Sequence, residues 1–145
     1  MMTAPYVLTL GGLHLTFYGL SDPHAFDAWD QGWCHVKMIC QEEGAHIKVT
    51  GSLLHLVDLK ALLDCLTLLL ITNEPIQTWE TLEEHLMIRF EQNHLGHLTV
   101  TVHITPDPHR QQHTFYFELD QTYLLPLKST LSQFIKDFDI TKNDL

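Results

Sequence analysis

Between Leu53 and Ile71 the chain reads LLHLVDLKALLDCLTLLLI, its most apolar run. Leu59, Leu62, Leu63, Leu66, Leu69 and Leu70 recur at spacings of three and four, which places them on one face of an α-helix. Leu56, Val57 and Leu68 widen that stripe, and Asp58, Lys60 and Asp64 are left as a narrow wet side. A helix this apolar has to be covered over most of its circumference, so a β-sheet is expected against it. Its start is expected near His55, after a break at Gly51-Ser52.

The segments around this helix alternate with period two, the signature of half-buried strands. Tyr6 to Leu10 is a short strand ending at Gly11-Gly12. Leu13, Leu15 and Phe17 alternate with His14, Thr16 and Tyr18. Cys34, Val36, Met38 and Cys40 oppose Trp33, His35, Lys37 and Ile39. After a turn at Glu42-Glu43-Gly44, His46 to Thr50 returns as the second arm of a hairpin. Beyond the helix, Thr72 to Leu82 reads as a linker. Leu86, Ile88 and Phe90 then make a strand, Leu98 to Ile104 the clearest alternation of all, and Phe115 to Leu119 a last strand after the Pro106-Asp107-Pro108 loop.

Leu124, Leu127, Leu131, Phe134, Ile135 and Phe138 predict a second amphipathic helix, with Asp120 or Thr122 as N-cap and Pro126 tolerable in its first turn. The tail from Asp139 is expected to fray. Strands and helices in this order argue for an α+β fold: a single antiparallel sheet of about six strands backed by two helices. The length of 145 residues suits one domain, with an ordered core from about residue 6 to about 138.

Composition narrows the function classes. The net charge is −10, and no Lys or Arg precedes Lys37. Nothing in such a chain neutralises phosphates, so nucleic acid is not an expected partner; a basic protein is. Asp58, Lys60 and Asp64 interrupt the longest apolar run, so nothing approaches the roughly 18 uncharged residues of a membrane span. The N-terminus lacks the basic and small-residue features of a secretory signal. Cys34, Cys40 and Cys65 are odd in number and sit in apolar periodic segments, which reads as reduced, buried thiols of a cytoplasmic protein.

No catalytic constellation emerges. The serines lack a Gly-x-Ser-x-Gly elbow, and Cys65 among leucines is expected to have a raised pKa, the opposite of an activated thiolate. The eleven histidines raise the question of metal: His94 and His97, and His109 and His113, have ligand-like spacing. Neither pair is flanked by cysteines, so an enzyme or metal protein using His94, His97, His109 and His113 is the alternative to a binding protein. Two acidic groups stand out instead. Asp22, Asp27 and Asp30 lie in one loop with Trp29, and Glu80, Glu83 and Glu84 form a ridge before the strand at Leu86. Trp33 is expected to pack inward.

Four segments carry a family resemblance. They are Asp27-Ala28-Trp29-Asp30-Gln31-Gly32-Trp33-Cys34-His35-Val36; Gly51-Ser52-Leu53-Leu54 leading into Leu59-Lys60-Ala61-Leu62-Leu63; Glu83 to Glu91; and Phe117-Glu118-Leu119 followed by a helix closing on Phe134-Ile135-Lys136-Asp137-Phe138. Over roughly Leu13 to Phe138 the chain resembles the WapI-type immunity proteins of bacterial polymorphic-toxin and contact-dependent-inhibition systems. The resemblance implies a cytoplasmic, non-enzymatic protein without cofactor. Its implied role is to neutralise a cognate toxin domain, in the family often an RNA-cleaving nuclease. Basic nucleases and an acidic inhibitor are electrostatically matched. The expected interface is Asp22, Asp27, Trp29, Asp30, Glu80, Glu83 and Glu84, with a homodimer left open.

Overall fold

The computed structural model describes residues 5–139. Its elements run β1 (Tyr6–Leu10), β2 (Leu13–Leu20), β3 (Trp33–Glu42), β4 (Ala45–His55), α1 (Leu56–Thr67), β5 (Ile76–Glu80), β6 (Leu86–Gln92), β7 (His97–Ile104), β8 (Thr114–Asp120) and α2 (Leu124–Phe138). The α+β class is as expected, but the single six-stranded sheet is not. Among the described residues the strands form two four-stranded antiparallel sheets, β1-β2-β3-β4 and β5-β6-β7-β8. Each is a meander of sequence neighbours, and α1 is the connection between them.

The registers show how the alternation is spent. In the first sheet Leu15 faces Leu8 on one side and Met38 on the other, and Met38 faces Val49. In the second, Trp79, Ile88, Val102 and Phe115 lie in one row across all four strands. Period two puts every member of these rows on the same face, and all are buried. The two inner faces meet the helices in one core. Leu10 and Leu13 of the first sheet, Leu62 of α1, Ile88 and Phe90 of the second sheet and Leu127 of α2 surround a void of only about 10 Å³. Each such side chain contributes roughly 1.5–3 kcal/mol by leaving water. α2 lies on the first sheet, where Phe134 packs against Phe17 with ring centroids 4.8 Å apart.

Three local expectations need correction. Residues 72–82 are not all linker, because Ile76–Glu80 is strand β5. Its inward positions are Gln77 and Trp79, and one polar member hides the alternation. The hairpin arm does not stop at Gly51-Ser52. A bulge opposite Cys34 and His35 inserts an extra residue, so β4 runs on to His55 and Leu53 and Leu54 belong to a strand. Finally, Asp58 is not on a wet side: it is only 3% exposed.

The ends of the helices are well tied. Pro126 is the third residue of α2, inside its first turn, where the missing N–H costs no helical bond. Asp120 accepts from the Thr122 amide at 2.8 Å and so caps the short turn that leads into α2. At the other end Asp139 is buried and meets the Lys60 ammonium at 2.9 Å, so the expected fraying does not begin there. The rest of that expectation, residues 140–145, lies outside the described residues.

Candidate functional site

His55, the N-cap of α1, is held on both ring nitrogens and on one face. Its Nδ1 accepts from the Val57 amide at 3.0 Å, which requires that nitrogen to be unprotonated. Its Nε2 lies 2.7 Å from the Trp29 carbonyl oxygen, which can only accept, so Nε2 carries the proton. The imidazole is therefore neutral, with both nitrogens engaged. Its face lies on the Trp29 indole, centroids 3.9 Å apart and 17° from parallel, and Trp33 meets it edge-on at 5.1 Å. Trp33 is half-buried, so it serves this cluster and not the deep core. Gly32 makes the arrangement possible. A Cβ there would sit 2.6 Å from Cε1 and Nε2 of His55, closer than any side chain tolerates.

Asp58, three residues into the cap, closes the second half of a capping box. One carboxylate oxygen accepts from the His55 amide at 2.9 Å, the other from the Leu82 amide at 3.1 Å. Its carbonyl accepts from the Trp79 indole N–H at 2.8 Å. Burial pushes the Asp58 carboxyl above the usual carboxylate range. The two amides oppose that shift, and the nearby Glu83 charge adds to it. Asp58 thus fastens the start of α1 to the turn between β5 and β6.

These two anchors decide where the predicted acids lie. The β2–β3 loop with Asp22, Asp27, Trp29 and Asp30 is held to the start of α1 by His55. The ridge with Glu80, Glu83 and Glu84 is held to the same helix end by Asp58. Two stretches about 50 residues apart in sequence therefore flank one helix terminus. All six carboxylates are exposed, and among the described residues none is in an ion pair. The patch also contains apolar groups that sequence reasoning missed. Phe26 stands fully exposed, and Val57 and Leu82 are 42% and 52% exposed, beside the expected Trp29 at 49%. An aromatic inside an aspartate loop was the available signal for Phe26. Val57 and Leu82 gave none, since one looked like helix core and the other like linker. Glu84 holds the left-handed conformation, φ 60°, a strained backbone for a non-glycine residue.

With this geometry in place, a comparison with family models decides the affiliation: the model described as the immunity protein WapI-like family matches residues 9–139. The chain belongs to the WapI-like immunity protein family. No curated protein matches it. Within this WapI-like chain the match spans the end of β1, strands β2 to β8, both helices and every residue of the acidic patch.

Next to the patch this WapI-like fold carries an open groove of about 750 Å³ between the β5–β6 turn and the β7–β8 loop. Glu80 and Glu84 border it on one side and His109, Arg110 and His113 on the other, above Met87 and His103. His94 and His97 are elsewhere, at the β6–β7 turn, and β7 separates the two pairs by its length of about 24 Å. The four histidines considered as metal ligands are not brought together. Among the described residues no group of three or more His, Cys, Asp or Glu is arranged to hold a metal ion. No helix among them is long and apolar enough to cross a membrane. The three cysteines are free and buried. Burial, with help from the Asp58 charge, pushes the Cys34 thiol up to about 12; burial and the Glu42 charge do the same at Cys40. The Cys65 thiol is also raised, by burial and then Asp64.

Proposed function

We propose that this protein binds and neutralises a cognate toxin domain through the patch at the start of α1, and that it catalyses no reaction. The toxin domain is basic and of the nuclease type. Binding takes place in the cytoplasm and involves neither nucleic acid nor membrane. The observation that carries this reading is the pair of tethers from Trp29 to His55 and from Leu82 to Asp58, which hold the loop with Asp22, Asp27 and Asp30 and the ridge with Glu80, Glu83 and Glu84 to the same end of α1. Membership of an immunity family supports it independently. Apolar anchors ringed by charge are the anatomy of tight inhibitor interfaces. A one-signed rim steers a basic partner and accelerates association.

The test is charge reversal at Asp27 and Asp30, alone and with Glu83, measured against a cognate toxin domain identified by its co-purification with the native protein. Association should slow by about tenfold or more at low salt, with a flatter salt dependence. Reversing Glu42 and Glu43, at the far end of β3, should matter much less. Equal effects from the two pairs, or an unchanged association rate in the patch variants, would place the interface elsewhere.

A further inference from the structure

Resting on that reading, we propose that Trp29 is an arginine-recognition residue, which receives the guanidinium of a partner side chain on its open face. One face of the indole is covered by His55 at 3.9 Å, yet half of the residue remains exposed. Its backbone is tied at both ends. The amide donates to Asp27 Oδ1 at 2.7 Å, and the carbonyl accepts from His55 Nε2 at 2.7 Å and from the Gly32 amide at 3.0 Å. A loop tryptophan braced in this way has lost its freedom on folding, so a partner does not have to order it.

The chemistry of the brace favours a cation. Because His55 is neutral, the covered face carries no positive charge and the ring's electron density stays available on the other. The first Lys or Arg in the chain is Lys37, so this loop supplies no guanidinium or ammonium of its own to the ring. Asp30 follows Trp29 directly, and Asp27 uses one carboxylate oxygen on the Trp29 amide. A planar guanidinium can stack on an indole and fork to a carboxylate at once, whereas an ammonium is a compact, strongly hydrated point charge. That difference selects arginine over lysine.

The experiment follows indole N–H signals by NMR in the intact protein, with Trp29 assigned through Trp29→Phe. Nα-acetyl-L-argininamide and Nα-acetyl-L-lysinamide are titrated separately. The argininamide should move the Trp29 signal and leave Trp79 still, and the lysinamide should bind about threefold or more weakly. Asp30→Asn should weaken the argininamide response. So should Gly32→Ala, which keeps Trp29 but displaces its brace. Equal response to the two amides, no response, or insensitivity to both substitutions overturns the proposal. Toxin binding to the charge-reversed patch is a separate readout: the patch can hold the toxin while Trp29 shows no preference for arginine, and the reverse.

Discussion

The imidazole of His55 lies flat on the indole of Trp29, 3.9 Å between centroids, while its two nitrogens hold the first turn of α1 and the Trp29 carbonyl. One ring thus performs a structural task and a surface task, and substitution can separate them. His55→Asn retains a good N-cap but no stacking face. It should cost less than about 1 kcal/mol in urea unfolding while shifting Trp29 fluorescence toward that of an exposed indole. His55→Ala removes cap and stack together and should cost about 1–3 kcal/mol. If both variants are equally stable, the cap is not what His55 contributes.

Asp58→Ala leaves the amides of His55 and Leu82 without an acceptor and should destabilise by about 2–4 kcal/mol. The native carboxylate also carries a pH signature. Its folded pKa is raised by burial above the ordinary 3.8. The stability linked to its proton is fully present below that value and is lost as pH rises through the folded one. Asp58→Asn should flatten this part of the stability–pH curve. An unchanged curve would mean that another group titrates there.

Trp79→Phe deletes the 2.8 Å bond from the indole N–H to the Asp58 carbonyl and trims a fully buried ring. A loss of about 1–3 kcal/mol is expected from the lost bond and the space left behind. A loss below about 0.5 kcal/mol would show that the second sheet does not depend on this tether to α1.

The thiols make an alkaline prediction. Cys34 and Cys40 are pushed up to about 12 from an ordinary 9.0. Above pH 9 the unfolded chain releases these protons and the folded one retains them. Their stabilising contribution is therefore complete below pH 9 and is lost as pH rises toward 12, at up to about 1.4 kcal/mol per pH unit for each thiol. Native protein at pH 8 should resist an aromatic disulfide reagent and react only on unfolding. Rapid labelling of the native state would contradict the burial of these side chains.

Much of the fold could be read before any coordinates. The alternations at Leu13–Phe17, Cys34–Cys40 and Leu98–Ile104 named their strands and their inward faces, because a strand's side chains must take opposite sides. The spacing of Leu59, Leu62 and Leu66 named a helix for the equivalent reason. The histidines of the two loops could be named but not placed, since ligand-like spacing says nothing about whether distant loops meet.

Local pattern also picked out the acids at Asp22, Asp27, Asp30, Glu80, Glu83 and Glu84, because charge is a property of single positions. It could not say that the chain forms two sheets, that Asp58 is a buried clasp, or that Gly32 leaves room for His55. Alternation tells which way a side chain points, not which strand lies beside it. A carboxylate reads as wet until two amides from other segments surround it. Those outcomes depend on contacts between residues some 20 to 30 positions apart, and they are what bring two acidic stretches to the same end of one helix.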